Sequence, residues 1–148
     1  MKRVVLFLLL LLPIAPLHAG VYGDDLTRCV VSSASAEEKL GLVEWMFFAI
    51  ALNPTIAPLA DIPPERRDAA DRSTARLFEK LLTESCVEQA RAAVKYEGNT
   101  AIGEAFKLLG QVAAQEMFAN PAVSKGAERF AEHIDTAKMA KALGLPGP

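Results

Sequence analysis

Apolar residues in this chain recur with the 3.6-residue period of an α-helix almost wherever they recur at all, and that constrains the fold most. The cleanest case runs from about Thr100 to Ala119. Ile102, Ala105, Phe106, Leu109, Val112, Ala113 and Met117 line one side, with Glu104, Lys107, Gln111 and Gln115 opposite. No stretch of the sequence alternates apolar and polar residues, or concentrates Val, Ile and Thr, as a half-buried strand does. The fold class that follows is all-α: a compact bundle of about five helices with one disulfide, after an N-terminal signal peptide.

Local signals place the helices. Ser35 and Glu38 form a capping box at the start of a helix from about Ala36 to Leu52, which Asn53-Pro54 stops because proline disfavours helical geometry in the residue before it. Between Leu42 and Leu52 the only polar side chain is Glu44, so this segment is expected to be the central, buried helix. Pro54 to Pro64 holds four prolines and reads as an extended loop. Within it Ile56, Leu59 and Ile62 recur every third residue, which in a polyproline conformation puts all three on one side. That side either clamps onto the chain's own core or is offered to a partner.

A charged helix is expected from near Glu65, with Pro64 in its first turn, burying Ala70, Leu77, Phe78, Leu81 and Leu82. Its outer face carries Arg66, Arg67, Asp68, Asp71, Arg72, Arg76 and Glu79, including a favourable Asp68–Arg72 pair one turn apart. Thr83 to Cys86 reads either as a break, with Ser85 and Glu88 as a second capping box, or as the interior of one long helix. Gly98-Asn99 marks the next stop. Gly103 and Gly110, two turns apart, fit a close approach by another helix, although helices also tolerate such glycines. Asn120 and Pro121 suit the cap and first position of a fifth helix with Val123, Ala127, Phe130 and Ile134 inward. Asp135 is placed to cap a short final helix ending at Gly144.

Lys2 and Arg3 precede an apolar run from Val4 to Leu12, then Pro13, Pro16 and Leu17-His18-Ala19. That order is a secretory signal, and cleavage is expected after Ala19. The apolar stretch is shorter than the roughly 20 residues a membrane-crossing helix needs, so no stable membrane anchor is expected after cleavage. Residues 1–19 are thus assigned to the signal peptide and residues 20–148 to a single helical domain, in the periplasm or secreted. In such a compartment Cys29 and Cys86, 57 residues apart, are expected to pair. The loop they close corresponds to roughly 4 kcal/mol of chain entropy.

Lys2 and Arg3 account for two of the 16 basic residues, so their removal leaves 14 against 18 acidic ones. A mildly acidic surface of this kind argues against nucleic acid or anionic lipid as a partner. His133 is then the only histidine, too few for ordinary zinc sites, and Cys-x-x-Cys-His for haem is absent. No cofactor is implied. Glycine-rich phosphate loops and a Gly-x-Ser-x-Gly elbow are missing, so no enzyme class is indicated. Glu44, alone in an apolar helix, is the one candidate acid, since burial would favour its neutral form. It either acts on a substrate as a cell-envelope hydrolase would, or it reaches the rim or meets an arginine of the charged helix.

Trp45, Phe47 and Phe48 form the aromatic cluster; Trp45 and Phe48 share a helical side while Phe47 points elsewhere. Trp45, Phe48, Ile56, Leu59 and Ile62 are therefore the binding candidates. The expected function is protein–protein binding, as an immunity, inhibitor or accessory protein, with another protein or a second copy as partner. The other readings are a carrier of a small apolar ligand, held in a cavity beside Trp45, and the hydrolase.

Overall fold

The computed structural model describes residues 20–146, which fold into seven α-helices, with no strand among them; the longest link, residues 51–63, lies between the second and third. They are α1 (Val21–Ser33), α2 (Ala36–Ile50), α3 (Pro64–Lys80), α4 (Val87–Glu97), α5 (Thr100–Phe118), α6 (Pro121–Glu128) and α7 (Thr136–Leu143). The all-α class and the disulfide agree with the sequence reading, whereas the helix number exceeds five. The expected signal peptide lies outside the described residues. No helix among them is long and apolar enough to cross a membrane.

The axis of the bundle is α5, against which α1, α2 and α4 all pack. Its predicted stripe turns inward: Ala105, Phe106, Leu109 and Ala113 are buried. Leu26 and Val30 of α1, Leu42 and Val43 of α2, Leu77 of α3 and Ala93 of α4 complete the core. Burying a leucine fully is worth about 2 kcal/mol, so this interlocked set supplies most of the driving force. The expectation that α2 is the central helix is corrected. Leu40, Phe47 and Ile50 leave one side of α2 exposed, because only α3 and α5 pack on it.

The main omission from the sequence reading is α1. It starts at Gly20, which offers no capping side chain, and its free N–H groups are met from far along the chain: Glu97 accepts hydrogen bonds from Tyr22 N at 2.9 Å and Gly23 N at 3.0 Å. Cys29 of α1 pairs with Cys86 just before α4, so the bridge ties this first helix to the second half of the chain.

Between α3 and α4 the backbone neither breaks nor continues as α-helix. Leu81–Ser85 widens into a π-helical turn, with Cys86 N donating to Leu81 O, five residues back, at 2.8 Å. The widened turn lets Leu81 and Cys86 both reach the interior, and no Ser85 side-chain cap forms. Gly98 then ends α4 at φ +85°, a conformation that favours glycine. Of the two α5 glycines, Gly110 sits against Met46, where an added Cβ would lie 3.6 Å from Sδ, while Gly103 faces open space.

Asn120 caps α6 and Asp135 caps α7, as the sequence indicates. The inward stripe expected of the fifth helix does not form. After Glu128 the backbone tightens into a 3-10 segment, Arg129–His133, and Phe130 is 72% exposed. Residues 121–146 form an arm that touches the bundle through α6 against the end of α5, with no buried residue in α6, α7 or the 3-10 segment.

Candidate functional site

The end of α2, the turn that follows it and the start of α3 enclose a surface groove of about 360 Å³. Its lining includes Glu44, Phe47, Phe48, Leu59, Ile62 and Arg66. The fold thus brings together four residues singled out in the sequence: Glu44, Phe48, Leu59 and Ile62.

Their roles differ from the sequence reading. Phe48 is only 5% exposed and belongs to the core, so it is a floor and not a contact surface. Its helical neighbour Phe47, about 100° away round the helix, is 50% exposed. The sequence separates the two directions correctly, but the apolar surplus falls on Phe47 and not on Phe48. Leu59 is 80% exposed, whereas Ile56 and Ile62 are half-buried. The polyproline geometry that would align all three is replaced by hydrogen-bonded turns and a short 3-10 segment, Ala57–Leu59. Ile56 itself has φ −93° and ψ −32°, far from an extended strand, and it does not line the groove.

Trp45 also lies outside the groove. Its ring packs against the core, and its indole N–H donates to Asp71 Oδ1 at 2.9 Å, which fixes α2 to α3. Trp45 lines none of four surface grooves of 340 to 560 Å³ formed by the described residues.

The expected burial of Glu44 is not found. Its side chain keeps 39% of its surface and accepts from Arg66 Nε at 3.0 Å and Nη2 at 2.7 Å. The arginine of the charged helix does reach this acid. Arg66 also lies over the Phe48 ring, 5.8 Å from its centroid, while Arg67 donates to Phe48 O at 2.7 Å. Two neighbouring arginines of α3 therefore stitch its first turn to the C-terminal half of α2. Both contacts are charge-assisted, but solvent screens the Glu44–Arg66 pair, whose arginine is 68% exposed, so the part-buried Arg67 bond is the firmer of the two. This arrangement presents a hydrophobic lip, Phe47 and Leu59, beside a preformed carboxylate–guanidinium pair.

A second groove, about 560 Å³, runs along α4 and is lined by Leu82, Val87, Ala90, Val94 and Ile102, with Arg91 and Lys95 at the side. Sequence reasoning does not mark it. The signal is present in the apolar spacing of Val87, Ala90 and Val94, which reads as core, yet Ala90 alone of the three is buried.

His133 is exposed at the end of the 3-10 segment. Among the described residues no three His, Cys, Asp or Glu side chains converge in a manner suited to a metal ion. No protein-family model matches the chain, and neither a curated protein nor a solved structure is similar to it.

Proposed function

We propose that the protein works in the periplasm or outside the cell by binding another protein, as an immunity, inhibitor or accessory protein does, and not by catalysis. One observation carries this reading: Phe47 and Leu59 stand exposed at a groove between α2 and α3. An exposed aromatic and a leucine side by side at a groove are the kind of anchors that dominate binding energy. The Glu44–Arg66 pair beside them supplies a donor and an acceptor to fix a partner's orientation. The disulfide fits an oxidising compartment and favours such a preformed surface.

Capture of a partner from the native extracellular or periplasmic fraction tests the proposal. The double variant Phe47→Asp, Leu59→Asp should lose at least tenfold in affinity while keeping the wild-type melting temperature. Equal capture by both proteins would reject the site, and a specific adduct of twice the chain mass would identify the partner as a second copy.

A second reading, carriage of a small apolar ligand, is supported by the α4 groove. Its volume is within the roughly 300 to 1,000 Å³ range of ligand sites, and Arg91 and Lys95 suit a ligand with an anionic end. Saturable binding of dodecanoate that Val94→Asp abolishes would favour it; no binding at millimolar dodecanoate would dismiss it. The hydrolase reading loses its premise, because Glu44 is half-exposed and paired with Arg66.

A further inference from the structure

The first helix opens on a feature that neither the core nor the groove requires. Glu97, the last residue of α4, places its carboxylate at the N-terminus of α1, accepting from Tyr22 N and Gly23 N. At the C-terminal end of its own helix a carboxylate is unfavourable, since the helix dipole is negative there; at the N-terminus of α1 it is favourable. The position therefore serves α1. Both flanking glycines make room for it: a Cβ on Gly20 would meet Glu97 Oε1 at 2.1 Å, and one on Gly23 would meet Oε2 at 2.7 Å. Stacking of Tyr22 on Tyr96, with ring centroids 4.5 Å apart, fixes the register of the two helices beside this contact.

Standard bond lengths put the Gly20 nitrogen within about 2.5 Å of that Cβ position, so it lies no more than about 4.6 Å from Glu97 Oε1. We propose that proteolytic removal of residues 1–19 completes this latch, the new α-ammonium of Gly20 forming an ion pair with Glu97. The inference rests on the expected signal cleavage. In that step, catalysed by a signal peptidase, water adds across the Ala19–Gly20 amide; Ala19 leaves as a carboxylate and Gly20 as an amine that takes up a proton. Before the cut the Gly20 nitrogen is a neutral amide. Afterwards it is a cation next to a carboxylate already oriented by two backbone donors, so maturation and the final locking of α1 onto α4 are one event.

The test uses the full chain, expressed from Met1 in a host that exports it, and recovered from the exported fraction. Intact mass and N-terminal sequencing should give Gly20 as the first residue. Selective acetylation of its α-amine should then lower the melting temperature by about 3 °C. In Glu97→Gln the same acetylation should no longer lower the melting temperature and should raise it slightly, because it removes a cation from the positive end of α1, whereas any steric effect of the acetyl group would persist. A different first residue overturns the assignment of the cut. Gly20 at the N-terminus with the same acetylation effect in wild type and Glu97→Gln leaves the cut standing and overturns the ion pair. Should Glu97→Gln fail to fold, the acetylation effect is measured in the wild-type protein at low and high salt: an ion pair is screened and the effect shrinks, whereas an effect unchanged by salt overturns the ion pair.

Discussion

Trp45 donates its indole N–H to Asp71 Oδ1 at 2.9 Å, so the single tryptophan of the chain is a tie between α2 and α3. A ring half-covered by core residues and bonded at its polar tip has little left to offer a partner.

It follows that Trp45→Ala acts on stability and not on recognition. Loss of the ring is expected to cost about 3 kcal/mol, at the low end for a large aromatic because the site is partly open. Asp71→Ala is expected to cost about 1 kcal/mol or less. Urea unfolding followed by circular dichroism measures both, and a Trp45→Ala protein as stable as wild type would refute the assignment.

The Cys29–Cys86 bridge joins α1 to the start of α4. Replacing both cysteines with alanine should lower stability by about 2 to 4 kcal/mol. Reductant should reproduce the loss in wild type and have no effect on the variant; a wild-type protein indifferent to reductant would contradict this.

Glu38 connects the α2 cap to α3. Its carboxylate bonds Lys80 Nζ at 2.7 Å and Ser35 N at 2.8 Å, and these contacts, Lys80 first, hold its pKa below the ordinary glutamate value. A lowered folded-state pKa means that the unfolded chain binds the proton more readily. The stabilisation is therefore fully present above about pH 4.3, the ordinary glutamate range, and is lost as pH falls through the lower folded value. Glu38→Gln should flatten this acid limb of the stability curve and leave other regions of the curve parallel to wild type. An unchanged acid limb would show that the pair contributes nothing.

No residue of the arm beyond α5 is fully buried and its last helix packs on no other helix, so that helix should be dispensable for folding. A chain ending at Ile134 should unfold within about 0.5 kcal/mol of the full chain. A cooperative loss of several kcal/mol would mean that α7 is packed on the bundle.

What is legible in the sequence follows from the range of the interactions involved. Caps at Ser35, Asn120 and Asp135 are readable because donor and acceptor lie within three residues, and the α5 stripe is readable because three neighbours cover it. The first helix escapes sequence reasoning because its cap, Glu97, stands about 75 residues away. Phe130 is misplaced by it because an apolar stripe tells which side of a helix seeks cover, not whether another element supplies it. In the groove, Glu44 is recognisable by its isolation among apolar residues, and Leu59 by its spacing. Phe47 and Phe48 differ only in direction around α2, and which direction is inside depends on where α3 and α5 lie.

Photo-crosslinking from the groove tests the central claim most directly. A photoreactive residue at position 59, introduced into the full chain and activated in the producing cells, is expected to yield one discrete adduct containing a second protein. The same residue at position 91, on the α4 groove, should not yield it. No adduct from position 59, or the same adduct from both positions, would contradict a binding site at Phe47 and Leu59.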